Sequence, residues 1–293
     1  MLANGPVSWG VDFADQPGAP PWEQVLNGIA AAGYRHVELG PYGYLPRDAA
    51  RLREALGERG LRAAGGLLYE PFHDPRGHEA IRGRAQEAID WISAAGGAYL
   101  LLVPIVDAER DAWAGRAHAA PPLDAARHTA MARFLGELAD RADTAGLVTA
   151  LHQHAGTHVE TRDELDALLT KLDGRLRLCV DTGHCLYAGI DPVALVCEYA
   201  PLVAGFHLKD LDGQRLRRSL DAGQGFESAV ADGIFTPLGQ GDVDFRGLAE
   251  ALRELDLDAW ATVEQDIDPR LPSDPVADAA ESRRFLAGVG LTR

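Results

Sequence analysis

Leu176-Arg177-Leu178-Cys179-Val180-Asp181-Thr182-Gly183-His184 runs from an apolar strand candidate into a carboxylate and, three residues later, an imidazole. The same change of chemistry ends three other apolar runs: Leu151-His152-Gln153-His154, Phe206-His207-Leu208-Lys209-Asp210 and Val263-Glu264-Gln265-Asp266. Buried strands favour apolar residues, so one polar ending is unremarkable, but four are not easily accidental. Side chains at the ends of parallel barrel strands converge on one axis, the geometry that a divalent ion needs.

The rest of the chain alternates in the same way. Strand candidates fall at Val7–Trp9, His36–Leu39, Arg62–Leu68, Ala98–Val103, Leu147–His152, Leu176–Asp181, Ala204–Lys209 and Ala259–Glu264. Between them, apolar spacings of three and four predict helices at Trp22–Ala32, Ala49–Arg59, His78–Ala95, Leu123–Ala145, Arg162–Leu172, Pro192–Tyr199, Phe245–Leu255 and Asp274–Ala287. Gly33, Gly60, Gly96 and Gly146 stand where helices close. Eight strand–helix units predict a single (β/α)8 barrel domain over residues 1–293. The alternative, a doubly wound open sheet, lacks its glycine-rich first turn, because Trp9-Gly10-Val11-Asp12 is no dinucleotide fingerprint. Longer strand-to-helix loops at roughly 69–77, 104–122 and 211–241 are expected over the C-terminal face.

Composition narrows the functional classes. Lys and Arg total 28 against 44 Asp and Glu, a net charge of −16, which disfavours a nucleic-acid partner. The longest uncharged apolar run, about nine residues near Gly97–Ile105, is far short of the roughly 20 that span a bilayer. No secretory signal is visible at Met1–Pro6. The cysteines Cys179, Cys185 and Cys197 form neither a disulfide framework nor a thiolate metal site, and Cys179 reads as a small buried hydrophobe. A reducing cytoplasm is the expected location. Walker, GxSxG and dinucleotide motifs are all missing.

Asp181, His207 and Glu264 each end an apolar stretch and are the candidate metal ligands, with His152 as the fourth. A mixed imidazole–carboxylate set suits Mn2+, Co2+, Fe2+ or Zn2+ better than Ca2+. Mn2+ and Co2+ are favoured, and Mg2+ remains open.

Longer segments carry a resemblance. Asn4–Gly10, Val37–Pro46, His152-Gln-His-Ala-Gly-Thr157, Val180–His184, Phe206–Asp210, Pro237–Phe245 and Val263–Asp266 resemble the inosose dehydratases of the xylose isomerase-like barrel superfamily. That superfamily also includes sugar isomerases, epimerases and endonuclease IV-type nucleases. The resemblance covers nearly the whole chain. It implies metal ligands Glu, Asp, His and Glu from strands five to eight. Asp181, His207 and Glu264 match, and His152 stands in place of the first Glu. It also implies removal of water from 2-keto-myo-inositol through an enolate, giving a cyclic 1,2-dione. Ketose epimerases of the superfamily use two opposed glutamates, and here only Glu264 of that pair remains. Isomerisation or epimerisation of a ketose, and β-elimination from a 3-keto-glycoside, are the competing reactions.

Glu264, His184 and His154 are the candidates for base and acid. Lys209 lies two residues beyond His207, so strand alternation sends it to the same face, to stabilise an enolate or hold a hydroxyl. Glu38 ends the second strand and Trp9 the first; both are expected to touch substrate, with a structural role as the alternative. Tyr42, Tyr44 and Phe72 share that ambiguity, and His36, His73, His78, His118, His128 and His158 read as surface or structural. The expected partner is a small polyhydroxylated keto compound, with no nucleic acid and no membrane, and the chain is expected to form a homo-oligomer.

Overall fold

The computed structural model describes residues 1–291. Its strands are β1 (Leu2–Asn4), β2 (His36–Glu38), β3 (Arg62–Glu70), β4 (Tyr99–Pro104), β5 (Val148–His152), β6 (Arg177–Asp181), β7 (Val203–Leu208), β8 (Asp210–Leu211), β9 (Phe235–Thr236) and β10 (Trp260–Val263). Eight of them close a parallel barrel in the order β1-β10-β7-β6-β5-β4-β3-β2, while β8 and β9 form an antiparallel pair in the loop after β7. The protein is a TIM barrel with helices outside the sheet.

Helices His78–Ala95, Arg162–Leu172 and Pro192–Tyr199 follow the predicted bounds, because their ends are written locally. Gly96 closes the first in the left-handed region (φ 86°), and a Thr161–Glu164 capping box opens the second. Asp191 caps the third, with Pro192 at its first position.

The first strand differs from expectation. Val7–Trp9 lies in a 3-10 turn, Pro6–Trp9, and the barrel is instead closed by Leu2–Asn4. Pro6 has no N–H for a ladder and its φ suits the first position of a helical turn. Upstream, Ala3 pairs with Thr262 and His36, joining β1 to both neighbours.

Small residues and two large rings fill the barrel interior: Ala3, Ala64, Ala150 and Cys179 surround Tyr99, on which Trp260 stacks with ring centroids 4.3 Å apart. Gly65 and Gly205 make room for those rings. A Cβ on Gly65 would stand 2.3 Å from Tyr99 Cδ2, and one on Gly205 2.1 Å from the Trp260 indole. The polar strand ends lie above this plug.

All three predicted loops lie on strand-to-helix connections. All three carry structure: the first begins within β3 and ends in the 3-10 turn Pro75–Gly77, residues 104–122 include helix Ala108–Asp111, and residues 211–241 include helices Gly213–Asp221 and Phe226–Ala231. Phe226, Phe235, Tyr187 and Ala155 form a separate apolar cluster beneath them. No helix among the described residues is long and apolar enough to cross a membrane.

Candidate functional site

At the C-terminal ends of the strands, β5, β6, β7 and β10 bring His152, Asp181, His207 and Glu264 together. His152 Nε2 lies 3.2 Å from Asp181 Oδ2, which lies 3.9 Å from His207 Nδ1, which lies 2.9 Å from Glu264 Oε2. All four residues are buried. The last contact is off the line of a hydrogen bond, and His207 Nδ1 has no proper partner. Donor atoms within 4.8 Å of one another fall into two sets that meet here, His152 with Asp181 and His184, and Glu38 with His207 and Glu264. With His152 Nδ1 and His207 Nδ1 both unpartnered, these imidazoles and carboxylates could hold a divalent ion. Asp181 divides its oxygens: Oδ1 accepts from the His184 N–H and caps the helix Thr182–Tyr187, leaving Oδ2 for the cluster.

Lys209 enters the same cluster. Its ammonium donates to Asp181 Oδ2 at 2.9 Å and Glu264 Oε2 at 2.6 Å, with Asp266 Oδ1 at 3.5 Å. Burial works against its charge, but Asp181, Asp266 and Glu264 hold it well above the ordinary lysine range. Its neighbour Asp210 turns away, accepting the backbone N–H groups of Leu211, Gly239, Gly241 and Val243. That carboxylate folds the loop after β7, and Lys209 alone of the two serves the cluster.

The histidines differ in state. Burial, reinforced by His152 and Lys209, pulls His154 down to about 3. His154 Nδ1 donates to the Ala155 carbonyl at 2.7 Å, leaving Nε2 as the ring's acceptor. Its ring packs on that of His184 at 3.8 Å. Burial also holds His184 far below the usual imidazole value, and its unpartnered Nε2 faces Asp181 and Asp266 at 3.9 and 3.7 Å. For His207, burial is overcome by Glu264 and Glu38, which raise it to about 10.

A cavity of about 650 Å³ opens above these groups, reached by His152, His154, His207, Lys209, Glu264 and Asp266 and walled by Phe13, Tyr69 and Phe226. A hollow of about 790 Å³ at the opposite rim, lined by Met1, Val148 and Arg177 among others, contains none of the predicted site residues.

Two predicted substrate contacts are corrected. Trp9 is buried in the main core, its indole 2.8 Å from where a Cβ on Gly28 would stand, and takes no part in the cavity. The 3-10 turn that replaced the expected strand directs it outward against the helix Trp22–Ala31. Glu38 lies inside the barrel, where Oε2 accepts from the Tyr99 and Thr262 hydroxyls at 2.7 and 3.0 Å and sits 3.1 Å from His207 Nε2. It orients a candidate ligand instead of touching the cavity. Tyr42, Tyr44 and Phe72 also lie outside the cavity lining.

Asp12, Asp266, Tyr69 and Phe226 are cavity residues that the sequence did not single out for a role. Alternation from Glu264 would have sent Asp266 to the same face. Burial, with Asp12, Glu264 and Asp181 adding to it, pushes Asp266 up to about 7 despite Lys209. Phe226 reaches the mouth from a helix within the long loop, a placement that no local pattern announces.

A model of the xylose isomerase-like TIM barrel family matches residues 26–289. The rhizopine catabolism protein MocC of Rhizobium meliloti is 33% identical over 273 residues, 92% of this chain and 82% of that protein. An inosose dehydratase of Lacticaseibacillus casei is 27% identical over 299 residues, 97% of this chain and 95% of its own. Among solved structures, the IOLI protein with a binding zinc atom superposes with a TM-score of 0.74 at 16% identity, covering 98% of this chain and 97% of that one. By the family model and the identity to MocC together, the chain belongs to the xylose isomerase-like TIM barrel family.

Proposed function

We propose that this protein is a divalent-metal-dependent carbon–oxygen lyase that removes water from an inosose or a closely related keto-cyclitol or keto-sugar. The observation that carries the reading is His152, an imidazole that burial keeps below its usual value, at the fifth-strand position of the donor cluster. A two-base proton exchange needs a carboxylate there, whereas an elimination needs one base for the carbon acid and one acid for the departing hydroxide. The likeness to inosose dehydratases over nearly the full chain supports the same reading.

A divalent ion held by His152, Asp181, His207 and Glu264 would supply Lewis acidity toward the substrate ketone. The chain's own residues do the rest. Glu264 Oε1 has no hydrogen-bond partner, and in this reading it is the oxygen that takes the α-proton. The Lys209 ammonium holds the negative charge that develops on the ketone oxygen. The bonding electrons of the broken C–H form the new double bond, and the β-hydroxyl leaves with a proton from the Asp266 carboxyl, which burial raises to about 7, giving water and an enol. Phe13, Tyr69 and Phe226 line the cavity around the reacting atoms.

The test is to incubate metal-loaded protein with scyllo-inosose and follow ultraviolet absorbance from an enolised dione. Absorbance that grows with metal-loaded but not metal-stripped protein is expected. Solvent deuterium entering the α-carbon without loss of water would point to isomerisation or epimerisation of a ketose instead. Silence with scyllo-inosose and activity on a 3-keto-glycoside would establish β-elimination of a sugar or aglycone.

A further inference from the structure

Among the described residues, one group of metal-capable side chains lies apart from the barrel centre: His73, Asp107 and His158. They come from the loops after β3, β4 and β5. His73 Nε2 is 3.2 Å from Asp107 Oδ2, the His73 and His158 rings are 4.5 Å apart, and one donor atom from each residue lies within 4.8 Å of the others. His73 is 5% exposed and His158 7%. Both ring nitrogens of His158 are buried without any hydrogen-bond partner. A buried imidazole with two unsatisfied nitrogens is costly unless something binds it.

We propose that His73, Asp107 and His158 form a second metal site, which takes Zn2+ or Co2+ and pins these three loops together. The proposal is independent of the lyase reading. Two imidazoles and one carboxylate, with water completing a tetrahedron, is a donor set for these ions and not for Mg2+ or Ca2+. Asp107 is prepared as Asp181 is. Its Oδ1 caps the helix Ala108–Asp111 by accepting from the Glu109 N–H at 2.9 Å, so Oδ2 is left for the cluster. Burial keeps both rings below the ordinary imidazole value, His158 at about 4, so their lone pairs are free at neutral pH. Two cations oppose an incoming ion. Arg110 is neutralised by Glu164 at 2.6 Å, and Arg127 touches the His73 carbonyl at 3.4 Å. The loops are already tied by the Asp107 N–H to the Gly156 carbonyl at 3.1 Å. Val106 and His154, on the same loops, line the cavity, so the site would stiffen its wall.

The test is equilibrium dialysis of the full-length, metal-stripped chain against Zn2+ alone, with metal content read by elemental analysis. One equivalent is expected to survive the double variant Asp181→Asn/His207→Gln, and in that background to raise the melting temperature as Zn2+ is added. Adding His158→Gln or Asp107→Asn should weaken that equivalent at least about tenfold. Asparagine keeps the helix cap, so Asp107→Asn decides the matter if His158→Gln fails to fold. Co2+ in the double variant should give the visible absorption of a four-coordinate ion. The proposal is overturned if the double variant binds no Zn2+, or if Asp107→Asn leaves its binding unchanged.

Discussion

Lys209 donates to Asp181 across the mouth of the barrel, Nζ to Oδ2 at 2.9 Å, the oxygen that also faces His152 and His207. The ammonium and the proposed metal ion would therefore draw on the same carboxylate. Lys209→Met removes the only lysine from a buried cluster containing Asp181, Glu264 and Asp266. In metal-stripped protein it should cost about 3–5 kcal/mol of stability, read by denaturant titration, with much of the loss reversed by Mn2+ or Zn2+. Turnover in the metal-loaded variant should fall about 100- to 1,000-fold. Normal turnover would remove Lys209 from the mechanism.

His152→Glu restores a carboxylate to the fifth strand. Dehydration should fall at least about tenfold, since the ligand set is altered. Deuterium exchange at the substrate α-carbon, relative to water loss, should rise. Mass spectrometry of substrate recovered from D2O reads both quantities. An unchanged ratio would mean that His152 does not choose between elimination and exchange.

Gly65 and Gly205 are the places where the barrel floor admits Tyr99 and Trp260. Gly65→Ala and Gly205→Ala should each destabilise the fold by about 1–3 kcal/mol, because the stacked rings have nowhere to move. Gly205→Ala should also weaken metal binding, since it lies two residues before His207 on β7. Thermal melts with and without metal check both statements.

Asp12 sits at the mouth, where burial raises it to about 6, with Glu264 and Glu227 adding to the rise and Lys209 opposing it. The folded protein therefore keeps a proton that an unfolded aspartate releases near pH 4. The stability tied to this group is present below about pH 4 and is lost as pH rises through about 6. Asp12→Asn removes that loss, so its melting temperature relative to the parent should climb between pH 4 and 7, by no more than about 3 kcal/mol of stability. Parallel pH curves for the two proteins would refute the assignment.

Much of this arrangement is local information. Apolar runs that end in His152, Asp181, His207 and Glu264 mark barrel strands in the sequence itself, because a strand end is written by where hydrophobicity stops. Helices such as Arg162–Leu172 were bounded by their caps. The first strand escaped because Leu2–Asn4 is three residues long, too short for a period to show, and the more apolar Val7–Trp9 drew the assignment instead.

The sequence by itself determined the barrel and the polar endings of four of its strands, since each follows from periodicity and from where hydrophobicity stops along a single strand. Tertiary structure alone decided which groups meet across strands. It sent Trp9 into the core, put Glu38 behind His207 in place of the cavity, carried Phe226 to the mouth on a loop helix, and gathered His73, Asp107 and His158 from three loops. The physical reason is that side-chain direction is fixed locally, whereas proximity between distant segments depends on how the whole sheet closes.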